Sequence, residues 1–287
     1  MNPVQAGFQV GYIPLVLRLA ARVLLTIGAA SFLLIGVPAF LAPAWAVGEF
    51  PWTVGPFLAQ TIGGWSLGTA AIAIHAVLGG PSRRLYGLLI YLGLFGVGQL
   101  AVVAAFASRL QVDHLLTWPY LIGLAALAVG AACAAISLRG GDATAVDMGR
   151  RAPWWIRAIA GLVGAFVLFL AVGTLIAGPD GATARGEVLP EPMGLFSIKA
   201  FSAFLFALAA AILSLVLSRN VGPYRSLGTS GLYLIVPITL AAALNFSLFD
   251  ASKPGTLVYF WAYVVVGLII LGVLVYEVRR ARVPQPG

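Results

Sequence analysis

Charge is scarce in this chain: 9% of its 287 residues are Asp, Glu, Lys or Arg, one is cysteine and two are histidine. Each scarcity excludes something. Cys133 stands alone, so an intrachain disulfide and a thiolate metal cluster are both ruled out, and it reads as a small apolar residue. His75 and His114 lie far apart and the nine carboxylates are scattered, which leaves no H-E-x-x-H or similar spacing for metal-assisted or acid–base chemistry. Each histidine reads instead as a hydrogen-bonding residue near a helix end. Neither a G-x-x-x-x-G-K-[ST] phosphate loop nor a G-x-S-x-G nucleophile turn occurs. No catalytic residue, cofactor or metal is therefore expected, and an enzymatic role has no residue to carry it.

What the chain has is apolar length. Hydrophobic residues make up 61% and mean hydropathy is +1.01, beyond what a soluble globule carries. A helix needs about 20 apolar residues to cross about 30 Å of hydrocarbon with its backbone groups paired internally. Eight runs meet that length: Val23 to Leu41, Phe57 to Leu78, Leu85 to Ala107, Trp118 to Leu138, Ala158 to Ala177, Ala200 to Leu217, Leu227 to Phe249, and Leu257 to Tyr276. The expected fold is all-α, a polytopic membrane protein of eight transmembrane helices.

A net charge of +8 invites a nucleic-acid partner, but no basic face with stacking aromatics stands clear of the spans. The distribution suits a membrane. With the N-terminus inside, thirteen Arg fall on inner segments, while only Arg109, Arg185, Lys199 and Lys253 fall outside. That bias predicts cytoplasmic N- and C-termini in the plasma (inner) membrane. The first run is followed by Ala44-Trp45-Ala46, as in a cleavable signal, yet it exceeds a signal core in length and has a counterpart later in the chain. It is expected to be a retained helix.

That counterpart belongs to a wider self-similarity. Gly28, Ala29, Leu34 and Pro43 match Gly164, Ala165, Leu170 and Pro179 at an offset of 136. The offset is 139 where Pro51, Gly55 and Phe57 meet Pro190, Gly194 and Phe196, and 142 where Pro81, Arg83 and Leu85 meet Pro223, Arg225 and Leu227. At 143, Trp118-x-Tyr120 meets Trp261-x-Tyr263. Small rising steps are what loop insertions after a tandem duplication leave. Residues 1–141 form the expected first four-helix repeat, 142–156 a cytoplasmic linker and 157–287 the second repeat. Four crossings return the chain to its starting side, so the repeats are parallel, related about the membrane normal. W-x-Y then opens the last span of each half at the outer interface as an aromatic belt, and Trp154 and Trp155 anchor the inner one. Gly64 and Gly68, with Ala203 and Ala207 at the same offset, form small-xxx-small pairs that bring helices close, either within the chain or toward another membrane protein or a second copy.

The outer-loop Pro51-Trp52, the G-x-x-x-G span, the turn "PSRRLY", the "GQL" stretch from Gly98 to Leu100 and W-x-Y together give the first half a resemblance to uncharacterised multi-pass bacterial proteins built of four-helix modules, distantly DoxX-like. The second half departs from it, lacking the glutamine and having one arginine in "PYRSLG". The resemblance implies a helical membrane fold and no established activity.

Two functions fit. One is binding or transport of a small or lipid-like, anionic molecule; the other is a non-catalytic structural or accessory subunit of a membrane complex. For the first, Gln60, Gln99, Lys199 and Asn245 are the candidate polar pocket, because amides and an ammonium at these depths are unfavourable toward lipid and should face protein, water or a ligand.

Overall fold

The computed structural model describes residues 3–80, 82–139, 150–178, 191, 193–250 and 254–281. Helices dominate: α1 (Pro3–Leu41), the short α2 (Pro43–Glu49), α3 (Pro56–Leu78), α4 (Tyr86–Ala105), α5 (Thr117–Arg139), α6 (Trp154–Ile176), α7 (Leu195–Leu217), α8 (Val221–Leu244) and α9 (Pro254–Ala281). All but α2 contain a stretch long and apolar enough to cross a bilayer, eight in total among the described residues. The chain is an all-α, polytopic membrane protein.

Local chemistry sets the helix ends. Proline occupies the first turn of α2 and α3, where its missing N–H and fixed φ suit a helix start. α7 begins at Leu195, five residues before the expected Ala200, and so takes in Lys199. A lysine is tolerated there because its ammonium finds backbone carbonyls, as described below. α8 ends at Leu244 rather than Phe249, since Asn245 leaves helical geometry and a single 3₁₀ turn, Phe246–Leu248, follows. α1 begins at Pro3, well before the expected Val23, and α8 at Val221, before the expected Leu227; the other ends fall within a few residues of those expected from hydropathy.

One end of the helical array carries most arginines and the other most carboxylates; these are called here the arginine end and the acidic end. α1 packs along α3 and α5, and α4 packs on α5. α6 packs along α7, and α8 packs on α9. The two groups join through α3 on α8 and α4 on α7. Leu25, Ala29, Phe32, Ile35 and Ala39 of α1 are buried in this core, so α1 is part of the folded unit. At the acidic end the segment after α2 folds inward: Trp52 is buried against Phe50, Tyr120 and Phe196.

Close packing between α1 and α5 depends on glycine. A Cβ on Gly123 would lie 2.9 Å from the Ser31 Cβ, and one on Gly130 would lie 3.0 Å from the Leu24 Cβ, so larger residues would push the helices apart. α6 and α9 have no such contact. They scarcely touch along their length, although the Trp155 and Tyr276 rings meet near the arginine end with centroids 5.1 Å apart.

Residues 142–149 of the expected linker, and 179–190 and 192 of the loop between α6 and α7, lie outside the described residues. Arg150 and Ala152, which precede α6, pair with the turn before α8: Val221 N–H donates to the Arg150 carbonyl at 2.9 Å and Ala152 N–H to the Arg219 carbonyl at 2.7 Å.

Candidate functional site

The four polar residues singled out from the sequence stand in three places. Gln60 and Asn245 meet: the Asn245 amide donates to Gln60 Oε1, and Gln60 Nε2 donates to the Phe40 carbonyl at the end of α1, 3.0 Å away. Gln99 lies apart, donating to the Ala200 carbonyl of α7 at 2.7 Å and accepting from the Tyr120 hydroxyl at 3.0 Å. Lys199 donates to the carbonyls of Leu175 and Ala177 where α6 ends, a favourable position for a cation because unpaired carbonyls and the helix dipole converge there. Each of these groups is engaged with protein. None lines the large cavity described below.

Two further polar contacts cross between the halves at the acidic end. The Glu191 carboxylate accepts from the backbone N–H groups of Phe57 and Leu58 at 3.0 and 2.9 Å, capping α3 from 133 residues away. Gly55 makes the approach possible, since a Cβ there would collide with the carboxylate. Trp52 Nε1 donates to the Ser197 hydroxyl in the first turn of α7 at 3.0 Å. The sequence indicated neither contact, because a carboxylate and an indole have acceptable partners almost anywhere.

W-x-Y divides its labour. Trp118 and Trp261 are 59% and 62% exposed, as a belt requires, whereas Tyr120 is buried on Gln99 and Tyr263 is half-buried. Residues two apart on a helix point to nearly opposite sides, so one motif serves both lipid and core. Trp154 is likewise exposed, while Trp155 packs on Tyr276. The small-xxx-small pairs act within the chain. Gly64 and Gly68 are buried under α8, and a Cβ on Gly68 would lie 2.6 Å from the Tyr233 carbonyl. Pro237 lacks the N–H that would otherwise bond that carbonyl, which leaves it free to abut the glycine. Ala203 faces Gly98 of α4, and Ala207 is fully buried. His75 pairs with the Ser230 hydroxyl at 3.2 Å, and His114 with the Phe50 carbonyl at 2.8 Å.

A large space lies among α6, α7, α8 and α9, where α6 and α9 fail to close. It holds ≈ 650 Å³. Along α6 its lining runs from Ile156 to Ile176, about 30 Å at the helical rise, so the space is a slot rather than a bowl. Its walls are almost wholly apolar, formed by residues such as Val163, Phe204, Leu234 and Ile270, with no charged side chain among the described lining residues. Phe169 and Ile176, both 73% exposed, stand on its rim, so the slot communicates with the outside of the helical array. Tyr259 and Tyr263 stand near its acidic end, and Tyr224 and Leu215 near its arginine end.

Sequence reasoning from polar residues missed this slot. The 143-residue offset that aligns W-x-Y sets Gly123 and Gly130, which let α5 close on α1, against Val266 and Val273, both lining the slot.

No family of proteins, no curated protein and no solved structure matches this chain.

Proposed function

We propose that the protein is a non-catalytic membrane protein that binds a lipid-like molecule from the bilayer in the slot between α6 and α9. The observation that carries this reading is the slot: ≈ 650 Å³, apolar, and open between two membrane-spanning helices. Its volume is in the range of small-molecule sites. A dry apolar space in contact with lipid tails fills with whatever chain fits, since bare walls forgo dispersion contacts.

The reading includes the duplication. In the proposed repeat, helices α1, α3, α4 and α5 correspond to α6, α7, α8 and α9, and two local features support that pairing. Gln60 and Lys199 stand at the 139-residue offset, and each bonds carbonyls at the end of the preceding span. Trp52 and Glu191 stand at the same offset, and each reaches across to the first turn of the other half's second span. On this account one ancestral module is closed by glycines in the first half and held open by valines in the second. The arginine end is cytoplasmic, by the charge bias.

The test is lipid retention. Protein purified through extensive detergent exchange should keep about one lipid molecule per chain, counted by native mass spectrometry, and Ala262→Trp, which fills the slot, should lose it while still folding. Equal retention by both proteins refutes the proposal.

A further inference from the structure

The acidic end of the slot carries a polar group without a well-placed partner. The hydroxyl of Tyr259, a residue only 9% exposed, finds no partner of good hydrogen-bond geometry although it is buried; its one polar neighbour is the Tyr263 phenol. Its ring is fixed by Phe249, Phe260 and Tyr263, with centroid distances of 5.7, 5.7 and 5.0 Å, so the phenol cannot swing out to find a partner without breaking up that aromatic cluster. A buried hydroxyl left unpaired bears its full desolvation penalty, and buried polar groups without partners are few enough that each calls for an explanation.

Apart from the Tyr263 phenol, which stands beside Tyr259, the other polar side chains along the slot are already satisfied. Thr174 donates to the carbonyls of Leu170 and Ala171, Ser230 pairs with His75, Tyr91 with Thr69, and Tyr224 with the Leu215 carbonyl. The ammonium of Lys199, on the neighbouring turn of α7, is engaged by the end of α6. A phosphate or ammonium headgroup drawn into the slot would find no opposite charge among the described lining residues, and burying it uncompensated is strongly unfavourable. A single uncharged oxygen meets what the site offers.

We infer that the slot selects a neutral lipid: hydrocarbon along the apolar walls, and a hydroxyl or carbonyl oxygen hydrogen-bonded to the Tyr259 hydroxyl at the acidic end. This rests on the slot being a lipid site, and it replaces the anionic ligand expected from sequence with an uncharged one. The headgroup specificity resides in one phenol on α9. The corresponding position in the first half, at the 143-residue offset, is Leu116, which has no polar group to offer.

The experiment is thermal unfolding of delipidated protein in detergent with four probes: hexadecane, oleyl alcohol, dioleoylglycerol and dioleoylphosphatidylglycerol. Wild type should be stabilised most by the alcohol and the diacylglycerol, weakly by hexadecane, and least by the anionic phospholipid. Tyr259→Phe should bind the alcohol about tenfold more weakly, the loss of one hydrogen bond, with its response to hexadecane unchanged. That unchanged response also shows that the variant is folded. Equal stabilisation by phosphatidylglycerol, or an unaltered oleyl alcohol affinity in Tyr259→Phe, overturns the headgroup inference while leaving the slot intact. If hexadecane stabilises wild type no more than it does Ala262→Trp, the slot reading itself fails and takes this inference with it.

Discussion

At the scale of single residues, three of the longer polar side chains serve helix ends. Glu191 caps α3, Gln60 reaches the end of α1 and Lys199 the end of α6, each taking up backbone groups that have no partner within their own helix. Glu191→Ala should therefore lower stability by about 1–2 kcal/mol, read as a fall in unfolding temperature, with Glu191→Gln losing less because one oxygen remains. Gly55→Val, which evicts the carboxylate, should cost a similar amount and add little to Glu191→Ala. Full additivity of the two would place Glu191 elsewhere. The sequence showed that these residues were too polar for lipid. Their partners were not legible, because a backbone carbonyl or N–H at a helix end has no signature of its own. Gln99 is the interhelical case, binding α5 through Tyr120 and α7 through Ala200. Gln99→Leu and Tyr120→Phe, each leaving a buried group unpaired, should each destabilise by about 1–3 kcal/mol, and the double variant by less than their sum.

At the scale of elements, hydropathy was enough to find the eight spans, since a lipid-crossing helix must be apolar for its whole length and little else in a sequence mimics that. Which faces meet was legible only in part. The G-x-x-x-G pair did mark a close helix contact, but the partner is α8 at Pro237, a pairing that needs the three-dimensional position of a proline 169 residues beyond Gly68. Gly68→Val should drive a methyl into the Tyr233 carbonyl and destabilise by at least 1–3 kcal/mol, about the cost of overpacking, whereas Gly272→Val, on a glycine with open space around it, should be near neutral. The α6–α9 gap makes the converse prediction. Val266→Gly with Val273→Gly restores the small residues found at Gly123 and Gly130, and should let α9 approach α6 and reduce lipid retention. Retention at the wild-type level in that variant would mean that the valines do not hold the slot open.

At the scale of the whole molecule, the charge distribution and the repeat make separate claims. Reporter fusions at Asp142 and Gly287 should read cytoplasmic and one at Gly181 external; these three positions lie outside the described residues, so the fusions test the arginine bias alone. The proposed duplication predicts that α1, α3, α4 and α5 superpose on α6, α7, α8 and α9 about an axis along the membrane normal, with α9 displaced outward relative to α5. On that proposal the displacement is where the two halves part company and where the proposed function arises: a packed module and an open one in the same chain. The most direct measurement is a cryo-electron microscopy map of the protein in lipid nanodiscs. The account predicts a continuous rod of density between α6 and α9, ending beside the Tyr259 hydroxyl. Helices α6 and α9 packed together as closely as α1 and α5, with no space between them, would contradict it.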